Sequence, residues 1–574
     1  MEIETLRHSI SHVLAAAVKE LYPTVKFGIG PAIEDGFYYD FEFKSPISDS
    51  DLPKIQKKMI EIIKRNKKFQ KEVISVAKAK QLFKDQKYKL ELIFDLSKED
   101  KKISIYHLGN FTDLCKGPHL KSTSEIPNGC FQLIKLAGAY WKGSEKNKML
   151  TRIYGVAMES KTALDKYLIQ LEEAKKRDHR VLGEKLELFL IDDEVGAGLP
   201  IWMPKGEALI KAIEKYLYEE LRKAGYQWLR SPHIANIQLW KTSGHWGFYR
   251  ENMYSPIQVD EEQYMLKPMN CPFHIKVYNK HIRSYKDLPI RYAELGTVYR
   301  YEKSGVLHGL TRVRGFTQDD AHIYCTPEQL EKELLSTIKL GIKMLKDFGF
   351  KEYDIYLSTK PKEKHVGSDE IWVKATKALE NALKALKLKY SVDVGGGAFY
   401  GPKIDIKIKD SIGRPWQCTT IQADFNLPDR FKMSFINKNG QRQEPIMVHR
   451  ALLGSIERFV GVLIENYAGA FPLWLSPVQM WVLPIGKTNN KYAKEVYEEL
   501  SNNGFRVELK DEDETIGKKI REAEIQRIPY MIVLGDKEMN SKKISVRDRN
   551  TKKITILSLK SFLKNSQEQI DNKK

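Results

Sequence analysis

The chain has 574 residues, enough for about three to five domains, and its 42% hydrophobic and 10% aromatic content lets each bury a core. A formal net charge of +20 and a pI of about 9.3 suit a polyanionic partner such as RNA or DNA, although a general Lys bias would raise the pI without one. Five scattered cysteines, Cys115, Cys130, Cys271, Cys325 and Cys418, exclude a disulfide framework and fit a reducing compartment, where a cysteine serves as a ligand or a buried thiol.

The start, Met1-Glu2-Ile3-Glu4, is acidic and lacks the basic opening of a signal peptide. Its apolar run Val13–Val18 is cut by Lys19 and Glu20, and nothing approaches the roughly 18 apolar residues of a membrane span. A soluble cytoplasmic protein without a membrane partner is expected. Leu6–Leu21 has a helical pattern, Gly28-Ile29-Gly30-Pro31 is a turn, and Gly36–Phe43 reads as a strand. Residues 51–98 are charged and read as largely helical; 103–157 read as β-rich, with breakers at Gly117-Pro118 and Gly138. Lys161–Arg177 has neither Gly nor Pro and is expected to be a linker helix, with a new domain starting near His179. The chemistry-bearing residues concentrate between 180 and 472. Beyond Phe471-Pro472, strands Val478–Leu483, Arg506–Lys510 and Tyr530–Leu534 alternate with helices Asn490–Asn502 and Ile516–Arg527, which predicts a small α/β domain.

The most informative stretch runs from Arg291 to His322. Two strand-like halves flank a polar loop at Lys303-Ser304-Gly305, a hairpin that would present Arg300, Glu302 and Arg312 toward one site. A guanidinium is a fixed bidentate donor that suits a phosphate; a solvated charged hairpin has the same spacing. This stretch resembles motif 2 of the class II aminoacyl-tRNA synthetases, in the form found in threonyl-tRNA synthetases. His449-Arg450-Ala-Leu-Leu-Gly454-Ser455-Ile-Glu457-Arg458-Phe is similar to motif 3, and Gly225–Pro232 sits where motif 1, the dimer motif, belongs.

The resemblance, which runs nearly the length of the chain, implies an α+β multidomain protein. Residues 1–160 would be an N-terminal α+β editing domain, 161–180 a linker helix, 181–472 a class II antiparallel-sheet catalytic core, and 473–574 a C-terminal α/β anticodon-binding domain. It implies a homodimer that joins L-threonine to tRNA(Thr) through an adenylate, using ATP with Mg²⁺. Arg300 is similar to the arginine on the α-phosphate and the amino-acid carboxylate, Glu302 to the residue holding the adenine amino group, and Arg312 and Arg458 to the γ-phosphate clamp. Lys403, Gln417 and Arg450 fall in other matching site segments.

Cys271, His322 and His449 form a donor set that suits zinc and leaves a fourth position open, though a buried Cys and two hydrogen-bonded histidines is the commoner reading of three such distant residues. All three match the family's zinc ligands, which implies one Zn²⁺ per chain; His274, at Cys-x-x-His spacing from Cys271, is not assigned. The resemblance also places Met269, Gln318, Asp320, Tyr400 and Gln422 around the threonine. A site that binds the substrate hydroxyl through the metal rejects valine by roughly 10⁴–10⁵-fold. Serine differs only by a methyl, worth about 1–3 kcal/mol, so a second, hydrolytic site is expected.

His8 and His12 lie four apart on one helix face, and Asp113-Leu-Cys115-Lys-Gly-Pro-His119 adds a Cys/His pair. By residue type His8, His12, Cys115 and His119 make a four-ligand zinc set. The resemblance points instead to metal-free hydrolysis of seryl-tRNA, with Lys89 as the matching lysine. In the last domain Arg521, Arg527, Glu538 and Arg547 match anticodon-facing positions, and residues 535–574 hold 11 Lys/Arg against 5 Asp/Glu, a net of +6 that would favour RNA phosphates as a frayed solvated tail also would. Glu512-Asp513 departs from the family, where a basic residue and an asparagine are usual. The editing helix starts almost at Met1, so the small extra N-terminal domain of many members is expected to be missing. A class II synthetase for proline or serine would not carry the zinc triad with Asp320, and a non-catalytic RNA-binding paralogue would have lost Arg300, Arg458 or a zinc ligand.

Overall fold

The computed structural model describes residues 2–98, 102–363, 365–409 and 413–573. The chain divides into two compact units, Met1–Glu172 and Glu173–Lys574.

The first unit is built around the helix Ile3–Leu21, in which every residue from Ser9 to Val18 is buried. A helix covered on all sides must be apolar or have its polar groups satisfied. Here Ala15, Ala16 and Ala17 allow close approach, and the Ser9 and Ser11 hydroxyls donate to the Thr5 and Gly30 carbonyls at 2.8 and 2.7 Å. An antiparallel sheet runs in the order Lys26–Phe27, Gly36–Glu42, Met149–Ala157, Phe131–Tyr140, with Ala32–Ile33 also paired to Gly36–Glu42. The charged stretch 51–98 is less helical than its composition predicts. Helices Leu52–Lys64, Val76–Leu82 and Lys87–Leu96 flank a strand, Phe69–Ser75, which pairs with Lys102–Leu108 and buries Phe69 and Ile74. A strand with so few inward residues is created by its partner, and that partner lies later in the chain. Phe111–Leu114 completes this second antiparallel sheet.

The second unit centres on an eight-stranded sheet. Its order is Gln227–Trp228, Ile290–Tyr299, Gly315–Cys325, Ile446–Ser455, Pro415–Asp424, Lys403–Lys409, Tyr353–Ser358, Ser391–Asp393. The two outermost pairings are parallel and the rest antiparallel. Side chains alternate along each strand, so one face can be apolar and the other polar. Ile323, Val448 and Ile421 join a core with Leu209 and Ile213 of the helix Pro204–Lys223, Leu334 and Ile338 of Leu330–Asp347, and Phe459 and Leu463 of Ile456–Tyr467. Their neighbours His322, His449 and Gln422 occupy the other face.

Past residue 472, Met480–Pro484 pairs in parallel with Val507–Leu509 and Tyr530–Leu534, as the alternation of strands and helices predicts. Antiparallel strands Ile544–Asp548 and Ile554–Leu557 extend this sheet, and the helix Leu559–Asp571 buries Phe562 against it. The basic segment after 535 is therefore largely folded, not a frayed tail.

Candidate active site

Cross-strand partners share a face of a sheet. The register sets His322 opposite His449, His449 opposite Gln422, and Gln422 opposite Lys403. Cys271 opens the helix Cys271–Tyr278. One ligand atom each from Cys271, His322 and His449 lies within 4.8 Å of the others, and all three residues are buried. A thiol and two imidazoles are donors that suit zinc. The hydrogen bonds around them fit a metal as well. His449 Nε2 lies 2.8 Å from Asp424 Oδ2 and His322 Nδ1 lies 2.9 Å from His274 Nδ1, so each ring is held by one nitrogen and can offer the other. Burial, with the neighbouring His274 and His449, holds His322 well below the usual imidazole range and hence neutral. Burial and the Asp320 and Asp424 carboxylates push the Cys271 thiol up; a coordinated cation reverses that preference.

The triad borders a cavity of about 530 Å³ whose wall also holds Met269, Gln318, Asp320, Tyr400 and Gln422. Asp320 Oδ2 accepts from Asn270 Nδ2 at 2.9 Å, and the Tyr400 hydroxyl donates to Gln422 Oε1 at 2.8 Å. Arg300, Gln417 and Arg458 line the same cavity. Arg300 donates to the Pro268 carbonyl at 3.3 Å and lies against the Tyr249 and Phe316 rings. Arg458 is anchored on the Thr311 and Gln417 carbonyls, at 3.0 and 3.3 Å. Burial lowers the Arg458 pKa, and the charges of Arg300 and Arg312 add to that. Such converging positive charge favours an anionic occupant.

Glu302, Arg312 and Lys403 are not in the cavity wall. The hairpin strands are Ile290–Tyr299 and Gly315–Cys325, so Arg300, Glu302 and Arg312 lie on the connection and not on paired strands. Arg312 Nη2 pairs with Glu302 Oε2 at 3.0 Å, and Lys403 pairs with Asp405, which also accepts from Gln417 Nε2 at 2.6 Å. Arg450 also borders this cavity, but it follows the ligand-type His449 in sequence and its side chain turns toward the helix-covered face. It packs over Tyr226, with its guanidinium carbon 4.4 Å from the ring centroid, and donates to the Asp319 carbonyl at 2.8 Å.

Several supporting residues carry no sequence signal of their own. Asp319 sits at a bulge between Gly315–Cys325 and Ile446–Ser455, and its carboxylate accepts from the Leu452, Leu453 and Gly454 amides at 2.9, 3.0 and 2.8 Å. Gly454 has φ +77° there, and a Cβ would lie 2.7 Å from the Cys418 carbonyl oxygen. Buried His179 bridges the Leu310 amide of the hairpin connection, at 3.1 Å, to Glu465 of the helix Ile456–Tyr467, at 2.8 Å.

In the first unit, the six residues singled out from the sequence come together. Cys115 Sγ lies 3.3 Å from His8 Nε2 and 3.2 Å from His119 Nε2, and His12 Nε2 lies 3.8 Å from Asp113 Oδ2. Lys89 Nζ and Asp113 Oδ1 form a buried ion pair at 2.5 Å. Tyr39, absent from the expected set, donates its hydroxyl to Asp113 Oδ2 at 2.5 Å and accepts from Lys89 Nζ at 3.0 Å. The sequence hint is its place between Phe37 and Phe41 on the inward side of the strand, where a hydroxyl needs a partner. Burial, helped by His8 and Lys89, holds His12 well below the usual imidazole range. Burial pushes the Cys115 thiol up to about 11, which keeps it protonated. Ligand-type atoms of His8, His12, Cys115 and His119 also lie within 4.8 Å of one another.

The four C-terminal residues are less concentrated. Arg521 and Arg527 are exposed. Glu538 is tied to the Gly535 amide and the Ser545 hydroxyl, both at 3.0 Å, and Arg547 to Glu524 at 3.1 Å. Asp513, in the segment that departs from the family, pairs with Lys487 at 2.9 Å on the surface.

Comparison with known proteins supplies the family. Residues 254–467 match the class II core domain of tRNA synthetases (G, H, P, S and T), 479–569 an anticodon binding domain, and 103–154 the second additional domain of threonyl and alanyl tRNA synthetases. The threonine–tRNA ligase of Sulfurihydrogenibium sp. is 52% identical over 100% of this chain and 89% of its own length; that of Aquifex aeolicus is 50% identical over 100% and 90%. A crystal structure described as the RNA binding domain of threonyl-tRNA synthetase from Cryptosporidium parvum covers 68% of this chain and 98% of its own, at 42% identity and a TM-score of 0.66. A core whose cavity joins a Cys/His/His triad to converging arginines, and full-length identity of this order, place the chain in the threonine–tRNA ligase family.

Proposed function

We propose that this chain activates L-threonine with ATP, transfers it to tRNA(Thr), and clears mischarged seryl-tRNA in its first unit. The observation that carries the reading is one cavity bounded by Cys271, His322 and His449 and by Arg300, Gln417 and Arg458. In the first step a carboxylate oxygen of threonine bonds to the α-phosphorus and the α–β bridging P–O bond breaks, releasing pyrophosphate. Arg300 and Arg458 orient the phosphates and stabilise the charge that develops on oxygen. Arg312, paired with Glu302 at 3.0 Å, would meet the γ-phosphate end of the nucleotide and Glu302 its adenine amino group. Mg²⁺ accompanies the ATP. Cys271, His322 and His449 would hold one zinc ion per chain, whose Lewis acidity would favour the amino group and hydroxyl of threonine. Asp320 and Gln318 face the amino group and hydroxyl, and Met269, Tyr400 and Gln422 shape the pocket.

For the first unit we follow the resemblance to a metal-free mechanism, in which neutral imidazoles and the Lys89–Asp113–Tyr39 cluster position a water and Cys115 takes no nucleophilic part. The protein works as a cytoplasmic homodimer, with Gly225–Pro232 in the subunit contact and Arg521, Arg527, Glu538 and Arg547 toward the anticodon. An ATP–pyrophosphate exchange panel over the amino acids tests the assignment. Threonine is expected to give the strongest exchange; strong exchange with proline and none with threonine overturns it.

A further inference from the structure

The zinc-type triad is served by a second layer that neither the resemblance nor the cysteine spacing assigns. His274 follows Cys271 by three residues on the helix Cys271–Tyr278, so the two side chains share one helix face. His274 is fully buried, and its ring meets that of His322 edge-on, with centroids 4.6 Å apart and planes at 83°. The facing atoms are His274 Nδ1 and His322 Nδ1, at 2.9 Å. At that distance one nitrogen carries the hydrogen and the other accepts it.

The far side of His274 decides which. Its Nε2 lies 3.2 Å from Glu294 Oε2. The Glu294 carboxylate is buried, accepts from the Ser231 amide at 2.6 Å and the Ser231 hydroxyl at 2.9 Å, and has Lys267 Nζ 3.5 Å away. Surrounded by donors, it has only acceptor capacity to give His274, so His274 Nε2 carries the hydrogen. With its hydrogen on Nε2, His274 presents a bare Nδ1 that accepts from His322 Nδ1–H. That leaves the His322 Nε2 lone pair free.

We infer that His274 and Glu294 are positioning residues, a two-step relay from the Ser231 segment that fixes His322 in the one tautomer able to bind metal through Nε2. His449 reaches the equivalent condition in one step, through Asp424, and offers Nδ1. The helix Cys271–Tyr278 thus supplies the sulfur ligand and, one turn on, the residue that sets up a nitrogen ligand from another strand.

The inference rests on the reading of Cys271, His322 and His449 as a zinc site, and the experiment separates the two. Zinc content and zinc affinity, by competition with a metallochromic chelator, are measured on the full-length protein, with folding checked by circular dichroism. Glu294→Gln is nearly isosteric, but its amide donates toward His274, inverts both tautomers and puts a hydrogen on His322 Nε2. His274→Leu removes the acceptor. Each is expected to weaken zinc by about 10–100-fold. His274→Gln can both accept from His322 and donate to Glu294, and is expected to stay within a few-fold of the parent. If the parent holds one zinc and Glu294→Gln holds it equally well, the relay is overturned. A His274→Gln protein as weak as His274→Leu also overturns it, because packing and not hydrogen bonding would then be what matters. If the parent holds no zinc, the underlying site reading fails instead. Should His274→Leu not fold, the Glu294→Gln and His274→Gln pair still decides.

Discussion

Single residues in the first unit have their chemistry set by burial. A free imidazole titrates near 6.5, but burial lowers His8 and, with His8 and Lys89 nearby, takes His12 well below that value; burial and the same histidines lower His119 too. A depressed histidine is neutral at every pH above its folded value. Enzyme-dependent hydrolysis of seryl-tRNA, corrected for spontaneous ester loss, should therefore show no imidazole inflection at or above the free value of about 6.5. A clear inflection near 6.5 means that a protonated histidine acts, and the neutral-imidazole mechanism fails. At this scale the sequence was a good guide to residues that belong to motifs: Cys271, His322, His449, Arg300 and Arg458 border one cavity. It was a poor guide to the residues that hold them. Tyr39 meets Asp113 across 74 positions and His274 meets His322 across 48, and no local pattern encodes a hydrogen bond closed by tertiary folding.

Among elements, the bulge between Gly315–Cys325 and Ile446–Ser455 matters most to the site. Three successive amides, Leu452 to Gly454, turn toward one buried carboxylate, Asp319, which also lies 3.5 Å from Arg450 Nη1. Burial pushes Asp319 up to about 6, against the pull of Arg450 and the three amides. Removing one partner from a buried charged network leaves the others unpaired, at about 3–5 kcal/mol. Asp319→Ala should cost that much in urea unfolding of the second unit and should lower threonine-dependent exchange, since Ser455 and Arg458 follow directly on the displaced turn. A loss below about 1 kcal/mol would show that water replaces the carboxylate there. Helices were legible from periodicity, Asn490–Asn502 to the residue. Strands were legible where one face is continuously apolar. Phe69–Ser75 was not, because its identity depends on pairing with Lys102–Leu108, and the same applies to Ile544–Asp548 and Ile554–Leu557.

At the scale of the whole molecule, each compact unit has its own buried core: Leu6, Ile10, Phe37 and Ile153 belong to the first, and Leu209, Ile338, Val448 and Phe459 to the second. Residues 173–574 alone are accordingly expected to keep threonine-dependent pyrophosphate exchange while letting seryl-tRNA accumulate. Loss of exchange from a soluble, folded fragment would mean that activation needs the first unit. The separate family segments were readable in the sequence because each carries its own motif, whereas the supporting contacts within each unit were not. The cross-strand row His322–His449–Gln422–Lys403 carries a further consequence. Side chains alternate faces with every residue, so inserting or deleting one residue inside any of these strands would send its member of the row to the helix-covered side. The connection 300–314 has no such parity to keep. Over the history of this chain, length variation should therefore be tolerated between the hairpin strands and purged within them, so that the spacing from His322 back to the Gly315 strand start, and from His449 back to the Ile446 strand start, behaves as a fixed ruler.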